Sequence, residues 1–351
     1  MLIGLFEELL AGWEGEETVI RFDADSGTWI FVCIHSTALG PAGGGTRMRV
    51  YPTPGDGLAD AMRLSRAMTQ KMAAANVARG GGKAVLAVPE LPVGEARRRL
   101  LLRYGQLVAS LGGTYRTAGD MNVSPADLDV VSETCPWVLG STAHGGNSGR
   151  GTARGVLHGI RASVEQVFGS PDLSGRSVLV QGVGAVGRDL AHDLGAAGAR
   201  VLVADVDAEQ AGRIATESGA EIVGAEDALA TECDVYAPCA VGGTLSAETI
   251  PRLGCRIVAG SANNQLAEPE DADRLHAAAI LYAPDYVINA GGVLQLLGLE
   301  DLGWDEAELE RNLAGIGDTL RGLYHDADAA GITPALAAEQ LAARRVAAAR
   351  A

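Results

Sequence analysis

A glycine-rich turn that directly follows an apolar run constrains the fold of this chain more than any other feature. The run Ser177–Gln181 has the composition of a buried parallel strand, residues 182–187 read Gly-Val-Gly-Ala-Val-Gly, and residues 186–197 have helical composition. In such a strand–turn–helix unit the first glycine makes the tight turn, the second lets a pyrophosphate approach the backbone at the helix N-terminus, and the third allows close packing of helix on strand. The pattern predicts a dinucleotide site at Gly182, Gly184, Ala185, Val186 and Gly187.

An acidic residue ends the strand that is predicted next along the chain. Asp205 follows residues 200–204 and comes eighteen positions after Gly187. At this place a carboxylate accepts hydrogen bonds from the ribose hydroxyls and repels the 2′-phosphate of NADP. The next residues, Val206 and Asp207, supply no arginine that would offset the repulsion. We therefore expect NAD rather than NADP. The strand before the turn and the helix after it favour a dinucleotide site over a purely structural turn.

Alternating strand and helix patterns run on both sides of a loop-like stretch at residues 145–149. Upstream, β-branched and apolar runs predict strands at 28–35 and 84–88, with a glycine-rich loop at 40–45 between them. Helices are expected at 56–75 and 95–111, and further short strands at 233–237, 256–259 and 280–283. The repeated strand–helix–strand units predict an α/β fold.

The length of 351 residues favours two domains rather than one. We place an α/β domain at residues 1–146 and a doubly wound, parallel Rossmann domain for NAD at residues 147–317. The tail is alanine-rich and helical. Its last part, about residues 318–351, is expected to return to the first domain.

Composition excludes several classes of function. The chain has 47% hydrophobic and 21% charged residues, a globular balance, and its net charge of −16 disfavours nucleic acid or an anionic membrane as a partner. Its 5 cysteines form no Cys-x-x-Cys pair, which favours reduced thiols in the cytoplasm over disulfides, and no Cys/His cluster has the spacing of a metal site. The apolar N-terminus contains Glu7 and Glu8, so we expect neither a signal peptide nor a membrane span there.

A lysine after three glycines is the strongest candidate for a catalytic group. Lys83 follows Gly80–Gly82 and opens an apolar run, and glycines let a substrate or another backbone approach closely. An ammonium held at such a surface is poorly hydrated, so its pKa falls toward the range of a base. The alternative is a flexible loop with a lysine whose head reaches water. Lys71, Asp120 and the dinucleotide turn occur in the same chain, which favours an enzyme site over a flexible loop.

Ten short stretches resemble the glutamate/leucine/phenylalanine/valine dehydrogenase family, in the order that the family has them, between about residues 28 and 297. They are Gly-Pro-Ala at 40–42, Gly-Gly-Thr-Arg at 44–47, Met-Thr-Gln-Lys at 68–71, Gly-Gly-Gly-Lys at 80–83, Thr-Ala-Gly-Asp at 117–120, the turn at 182–187, Ala-Pro-Cys-Ala at 237–240, Gly-Ser-Ala-Asn-Asn at 260–264, Tyr-Ala-Pro-Asp-Tyr at 282–286 and Asn-Ala-Gly-Gly at 289–292. The resemblance implies reversible oxidative deamination of an L-amino acid to a 2-oxo acid and ammonia, with NAD as the hydride acceptor. It also implies a homo-oligomer built through the first domain, which would bind the substrate.

The resemblance assigns roles that suit the chemistry of the residues. A neutral Lys83 would act as the general base on the water that attacks the iminium carbon, provided that burial and the cation Lys71 lower its pKa. Lys71 would stay charged and bind the substrate carboxylate together with the Asn264 amide. Asp120 would carry protons between the amine and the departing ammonia, and the Gly44 carbonyl would hold the substrate ammonium or the attacking water. Taken alone, Lys71 is equally a solvated helix lysine and Asp120 a helix cap.

Three further positions match cofactor contacts of the family. Thr152 and Asn289 correspond to residues that bind the nicotinamide amide, and Ala240 lies in a matching stretch near the dinucleotide. As isolated residues, Thr152 and Asn289 would be caps or turn formers.

The substrate pocket is expected to be apolar. Glutamate dehydrogenases carry a lysine where this chain has Gly43 and a serine where it has Leu296, so a buried γ-carboxylate would stay unpaired. Val293 and Leu296 are one helical turn apart and would line one wall, with Ala118 near the substrate and the missing side chain of Gly43 enlarging the pocket. We expect branched-chain amino acids to be favoured slightly over phenylalanine. A phenylalanine-preferring enzyme, another nicotinamide oxidoreductase and an inactive NAD-binding regulatory protein are the alternatives, of which the intact Lys71, Lys83 and Asp120 disfavour the last.

Overall fold

The computed structural model describes residues 2–144 and 148–350 and divides the chain into two compact units. The first unit comprises residues 1–147 and 342–351, and the second comprises residues 148–341. The expected domain boundary, between residues 146 and 147, lies outside the described residues.

A five-stranded mixed sheet forms the centre of the first unit. Its strands are β1 Glu17–Asp23, β2 Thr28–Ser36, β3 Ala42–Arg49, β4 Gly80–Ala87 and β5 Tyr115–Gly119, in the order β1-β2-β4-β3-β5. β1 and β4 run antiparallel to β2, whereas β3 runs parallel to both of its neighbours, β4 and β5. The carboxyl ends of β3, β4 and β5 therefore meet at one edge of the sheet.

Helices cover both faces of this sheet. They are α1 Leu2–Ala11, α2 Pro54–Ala74, α3 Gly94–Ser110 and α4 Pro125–Ser132, and a short 3-10 turn follows at Thr142–His144. α2 begins at a capping box formed by Thr53 and Asp56 with a proline in its first turn, as sequence patterns of this kind predict. α2 packs with Phe31 and Val85 on one face, while α3 packs with strand residues of the other face in a separate core.

The glycine-rich stretch at 40–45 differs from its expectation. It was expected to be a loop, yet β3 begins at Ala42, so Gly43–Gly45 are strand residues, as are Gly80–Gly82 of β4. The reason is close packing of backbones, because a Cβ atom on Gly44 would collide with the carbonyl oxygen of Gly82. A Cβ atom on Gly81 would likewise collide with the backbone nitrogen of Thr69 in α2.

A six-stranded, all-parallel sheet forms the centre of the second unit. Its strands are β6 Ser177–Gln181, β7 Arg200–Ala204, β8 Glu221–Ile222, β9 Cys233–Pro238, β10 Cys255–Val258 and β11 Leu281–Tyr282, in the order β11-β10-β9-β6-β7-β8. The direction of winding reverses between β6 and β9, which is the strand order of the doubly wound dinucleotide fold. The predicted fold class is confirmed.

The helices of the second unit lie before, between and after these strands. They are α5 Gly149–Phe168, α6 Ala185–Ala196, α7 Ala208–Ser218, α8 Asp271–Ala277, α9 Asp285–Ile288, α10 Gly291–Glu300 and α11 Glu306–Ala330, with a 3-10 turn at Ile250–Arg252. α5 has glycines where it meets its neighbours: a Cβ atom on Gly155 would lie 2.7 Å from Ile316 of α11, and one on Gly159 would lie 3.0 Å from Leu320. Small residues thus let α11 approach α5 closely.

The C-terminal helices divide between the two units, which corrects the expected return of residues 318–351 to the first domain. α11 stays in the second unit because its apolar face packs on α5, where the hydroxyls of Tyr324 and Ser163 share a hydrogen bond of 2.7 Å. In the last helix, α12 Pro334–Arg350, only the residues from 342 onward group with the first unit. No helix of the described residues is long and apolar enough to cross a membrane.

Candidate active site

Charged side chains of β3 and β4 share the face of the sheet that α2 covers. Val85 of β4 packs with Leu58 of α2, and because strand side chains alternate, Lys83 points to the same face. From the neighbouring strand β3, Arg47 reaches Asp60 of α2, with Nη1 2.9 Å from Oδ2. The strand order therefore places Lys83 and Arg47 side by side under the same helix.

Lys83 is buried and paired with a carboxylate. Only 6% of the residue is exposed, and its Nζ donates to Oδ2 of Asp120 at 2.8 Å. Burial lowers the pKa of Lys83, the negative charge of Asp120 opposes this, and the positive charge of Arg47 acts in the same direction as burial. Lys71 was the cation expected to lower this pKa, and Arg47, which the sequence did not indicate, is a cation that lowers it in the structure.

Arg47 connects two carboxylates. Its Nε donates to Oδ2 of Asp120 at 2.9 Å, the same oxygen that accepts from Lys83, and its Nη1 donates to Asp60. Asp60 also accepts from the Tyr51 hydroxyl at 2.7 Å. Burial alone would raise the pKa of Asp120, but the charges of Lys83 and Arg47 hold it below its usual range. Sequence reasoning missed Arg47, although its position two residues after Gly45 placed it on the same strand face as that glycine.

The two oxygens of Asp120 have different surroundings. Oδ2 is fixed by Lys83 and Arg47, whereas no donor of the described residues bonds to Oδ1, and 27% of the side chain is exposed. The half-exposed Ala118 lies two residues earlier on β5, opposite Gly45 of β3. One oxygen of the carboxylate is therefore anchored, and the other is available to a bound molecule.

The backbone carbonyl of Gly44 already has one partner. The hydroxyl of Tyr115, a fully buried residue, donates to it at 2.7 Å. The sequence did not indicate Tyr115, which lies on β5 rather than on β4 with Lys83.

The last turn of α2 carries Lys71 and Met72, and it lies beside Gly43 of β3. Asp60 and Lys71 are eleven residues apart, about three helical turns, so they share one flank of α2. Next to Lys71, the terminal methyl of Met72 lies 3.2 Å from the point where a Cβ atom of Gly43 would be. Lys71 is half-buried. The space that Gly43 was expected to leave open is thus partly filled by Met72.

In the second unit, the predicted dinucleotide turn has the geometry that its glycines require. Gly182 adopts φ +91°, which favours glycine, and a Cβ atom on it would lie 2.6 Å from that of Ala240. A Cβ atom on Gly187 would collide with the carbonyl oxygen of Gly182. Gly184 faces open space, and α6 begins at Ala185 and Val186. Two glycines therefore serve packing, and the third leaves the backbone accessible to a phosphate.

Asp205 follows β7 beside this turn. Its Oδ2 accepts from the backbone N–H of Val183 at 2.8 Å, and its Oδ1 accepts from that of Asp207 at 2.9 Å. The carboxylate therefore holds the glycine-rich turn in place as well as standing where a ribose would bind. The partly exposed side chain keeps lone pairs available.

Asn289 has a buried acceptor without a donor. Only 5% of the residue is exposed, its Nδ2 donates to Ser261 O at 3.2 Å and Asn263 Oδ1 at 2.9 Å, and its Oδ1 has no partner among the described residues. Thr152 donates its hydroxyl to Ser148 O at 2.9 Å. An unpaired buried acceptor costs stability, so the primary amide of a nicotinamide, which is a donor, suits the Asn289 position.

The remaining predicted residues of the second unit are exposed or half-exposed. Asn264 is exposed, and its positive φ of +51° turns the chain after β10. On α10, Val293 and Leu296 are half-buried whereas Leu294 and Leu297 are buried, so the first pair shares one accessible helix face.

Each unit thus holds one group of the predicted residues. The first unit brings Lys83 and Asp120 into direct contact and carries Gly43, Gly44, Lys71 and Ala118, and the second unit carries Thr152, Gly182, Gly184, Ala185, Val186, Gly187, Asp205, Ala240, Asn264, Asn289, Val293 and Leu296.

Comparison with known proteins assigns both units to one family. The model of the Glu/Leu/Phe/Val dehydrogenase dimerisation domain matches residues 19–137, and that of Glutamate/Leucine/Phenylalanine/Valine dehydrogenase matches residues 205–351. A valine dehydrogenase of Streptomyces albus is 43% identical over 344 residues, which cover 96% of this chain and 93% of the relative. A leucine dehydrogenase of Thermoactinomyces intermedius is 40% identical over 338 residues, 95% of this chain and 91% of the relative.

Solved structures agree with this assignment. The L-tryptophan dehydrogenase of Nostoc punctiforme superposes with a TM-score of 0.86 at 36% identity and 99% coverage of both chains. A glutamate dehydrogenase of Thermus thermophilus, at 22% identity and a TM-score of 0.75 over 99% of this chain and 95% of its own, shares the fold. The chain belongs to the Glu/Leu/Phe/Val dehydrogenase family, and it is an amino-acid dehydrogenase that uses a pyridine nucleotide.

Proposed function

We propose that this enzyme catalyses the reversible, NAD-dependent oxidative deamination of apolar L-amino acids, with branched-chain substrates slightly favoured over phenylalanine. The products are the 2-oxo acid and ammonia. The observation that carries the proposal is the buried Lys83, whose Nζ lies 2.8 Å from Asp120. A buried lysine of lowered pKa next to a carboxylate forms a pair that can exchange protons with a bound substrate.

Lys83 and Asp120 divide the proton transfers between them. Bound NAD supplies the chemistry of accepting the hydride from Cα, which leaves an iminium ion. Neutral Lys83 takes a proton from the water whose oxygen forms the new bond to Cα. Asp120 first takes a proton from the substrate ammonium and later returns it to the amine of the hydrated intermediate. Ammonia departs when the C–N bond breaks, and the hydroxyl of the intermediate loses its proton to solvent water as the C=O bond forms. The half-exposed Asp120, with Oδ1 unbonded, suits this second role.

Three groups orient the substrate in this proposal. Lys71 binds the substrate carboxylate as a charged ammonium, and the exposed Asn264 of the second unit offers an amide donor. The Gly44 carbonyl accepts from the substrate ammonium or the attacking water, while the Tyr115 hydroxyl donates to the same carbonyl from the core side. The carbonyl is thereby held in one orientation.

The proposed selectivity rests on missing polar groups. Gly43 and Leu296 supply neither an ammonium nor a hydroxyl, so the γ-carboxylate of glutamate would be buried without a partner at a cost of several kcal/mol. Val293, Leu296 and Ala118 offer apolar surface, and Met72 partly fills the space above Gly43. Apolar pockets discriminate by only about 1–3 kcal/mol per methylene, so overlapping activities are expected. The relatives that are valine and leucine dehydrogenases support the branched-chain preference.

We propose NAD as the cofactor on the basis of Asp205. Its carboxylate stands at the end of β7, where the ribose hydroxyls of NAD would donate to it and a 2′-phosphate would be repelled. Ala185, Val186 and the open backbone at Gly184 would receive the pyrophosphate, next to Gly182, Gly187 and Ala240. Thr152 and Asn289 would bind the nicotinamide amide.

We also propose a homo-oligomer built through the first unit, in the cytoplasm. The matched dimerisation domain covers residues 19–137 of that unit, and its edge strand β1 exposes Ile20 and Phe22. All 5 cysteines are free thiols, which suits a reducing compartment. Light scattering after size-exclusion chromatography tests the assembly, and a mass of one chain would reject it.

A spectrophotometric panel tests the reaction. NADH formation at alkaline pH is measured with L-leucine, L-valine, L-phenylalanine and L-glutamate, with NADP as the alternative cofactor. We expect activity on the three apolar substrates, with glutamate at least about 10³-fold poorer in kcat/KM because of its unpaired carboxylate. A preference for phenylalanine would favour the aromatic branch, and no activity on any amino acid would reject the proposal.

A further inference from the structure

We propose that Arg47 is a positioning residue for this reaction: it anchors one oxygen of Asp120 so that the other exchanges protons with the substrate. The inference rests on the proposed function, because it assigns a task to the Asp120 carboxylate within that reaction. Arg47 itself is not expected to touch the substrate.

The geometry restricts rotation of the Asp120 carboxylate. Oδ2 accepts from Nε of Arg47 at 2.9 Å and from Nζ of Lys83 at 2.8 Å, so two cations from two adjacent strands hold one atom. Gly45 makes room for this arrangement, because a Cβ atom there would lie 3.0 Å from the Asp120 Cβ. With Oδ2 fixed, Oδ1 has one orientation for the proton transfer.

The second contact of Arg47 explains why an arginine suits this position. Nη1 donates to Asp60 of α2 at 2.9 Å while Nε holds Asp120, and both partners are largely buried. A planar guanidinium can satisfy two carboxylates in different directions, which the single ammonium of a lysine does less well. Asp60 is in turn fixed by the Tyr51 hydroxyl and by the exposed Arg63.

The role of Arg47 can be tested in the pH profile, because the charges around Lys83 shift the pKa of this lysine. Arg47 lowers the pKa of Lys83, whereas Asp60 and Asp120 raise it. Other titratable groups lie on elements packed against it: Lys71 on α2, and on β2 Cys33, whose pKa is raised to about 12 by burial, and His35, whose pKa is lowered by burial. Cys33 and His35 are therefore neutral near alkaline pH, and among the described residues the charges that most affect the pKa of Lys83 are those of Asp120, Arg47 and Asp60.

The experiment compares the pH profile of kcat/KM in wild type, Arg47→Gln, Arg47→Lys and Asp60→Asn, with Arg63→Gln as the matched control. Arg47→Gln removes a positive charge, so the acid limb should move to higher pH by about 0.5–1 unit, with kcat about 10–10²-fold lower. Asp60→Asn removes a negative charge, so its limb should move to lower pH. Arg47→Lys should restore the limb but only part of kcat, because one of the two contacts is lost.

Controls separate this inference from folding and from the proposed function. Arg63 contacts the same Asp60 but not Asp120, so Arg63→Gln should leave the limb in place. Thermal unfolding and NAD affinity show whether each variant is folded. If wild type deaminates amino acids and folded Arg47→Gln keeps both kcat and the limb, the positioning role is wrong. If Arg47→Gln does not fold, an Arg47→Lys variant with the kcat of wild type, together with an Asp60→Asn limb that coincides with that of wild type, rejects the role equally. An inactive wild type rejects the proposed function instead.

Discussion

Nζ of Lys83 lies 2.8 Å from Oδ2 of Asp120, although the two residues are separated by 37 positions. Lys83 lies on β4 and Asp120 directly follows β5, and these two strands are not neighbours in the sheet. β3 runs between their strands and presents Gly45 at the crossing point, so the lysine can reach over it to the end of β5. The catalytic pair of the proposed mechanism therefore depends on the strand order β4-β3-β5 and on a glycine in the central strand.

Replacement of the lysine should abolish turnover without loss of the cofactor. In Lys83→Ala, kcat should fall by about 10²–10⁴-fold because the general base is removed. NAD affinity, measured by fluorescence titration, should stay within about twofold, because the turn at 182–187 belongs to the other unit. A variant that keeps more than about a tenth of the wild-type kcat would exclude Lys83 as the base.

The pH profile should report the lysine. Burial lowers the pKa of Lys83, and only the neutral amine acts as a base, so kcat/KM should fall as pH drops through that lowered pKa. Asp120, whose pKa is also lowered, is ionised throughout this range and contributes no limb of its own there. A kcat/KM that stays constant down to about pH 5 would contradict a lysine base, since a carboxylate base would then be the better explanation.

Asp205 has two roles that substitutions can separate: its negative charge would select NAD, and its Oδ2 accepts a hydrogen bond from Val183 of the turn. Asp205→Asn removes the charge but keeps an acceptor for Val183, so the preference for NAD over NADP should narrow while the turn persists. Asp205→Ala loses both, so NAD affinity should fall further. Dissociation constants for both nucleotides decide this, and a wild-type enzyme that already uses both cofactors equally would show that Asp205 does not select.

The glycines of the turn should respond differently to the same substitution. Gly187→Ala should lower the melting temperature, because its Cβ collides with the carbonyl oxygen of Gly182 and overpacking costs about 1–3 kcal/mol or more. Gly184→Ala should leave the melting temperature nearly unchanged but weaken NAD binding, because the position faces open space that a pyrophosphate would use. Equal effects of the two variants on NAD affinity and on stability would contradict this division of tasks.

A buried ion pair near the site should make the first unit sensitive to acid. Arg97 bonds Asp127 through Nε at 2.6 Å and Nη2 at 2.8 Å, and Asp127 also forms the capping box of α4 with Ser124. Burial raises the pKa of Asp127, but the bonds from Arg97 and Ser124 outweigh it and bring the pKa below its usual value. Its contribution is therefore present above about pH 4 and is lost as pH falls through the lowered pKa. Asp127→Asn should cost about 1–3 kcal/mol at pH 7 and much less near pH 2, as measured by urea unfolding.

Local patterns predicted much of the fold because they depend on neighbours in sequence. The helix at 56–75 was predicted within a few residues of α2. The turn at 182–187, with the strand before it and the helix after it, predicted the dinucleotide fold of the second unit. The strand character of Gly43–Gly45 was missed, because it arises from packing against Gly82, a partner far along the chain. Glycines carry no side-chain pattern that could reveal this.

The candidate site was predicted as residue types but not as contacts. Lys83 and Asp120 were identified from their motifs, whereas Arg47, Met72 and Tyr115 became visible only through the order of the strands and the packing of α2. The alternation of side chains along the strand after Gly45 was a local indication for Arg47, whereas no local pattern indicated Met72 or Tyr115. The part of α11 from residue 318 onward was assigned to the wrong unit, because the apolar face of a helix does not identify the helix on which it packs.

The substrate side-chain pocket gives the last prediction. Because the Met72 methyl lies 3.2 Å from the missing Cβ of Gly43, Gly43→Leu should displace Met72 and shrink the pocket. The loss in kcat/KM should be larger for phenylalanine than for valine, by about tenfold, since the larger side chain needs the space. Met72→Ala should favour phenylalanine, and the double variant should recover part of its activity. Equal losses on both substrates would show that Gly43 does not face the substrate side chain.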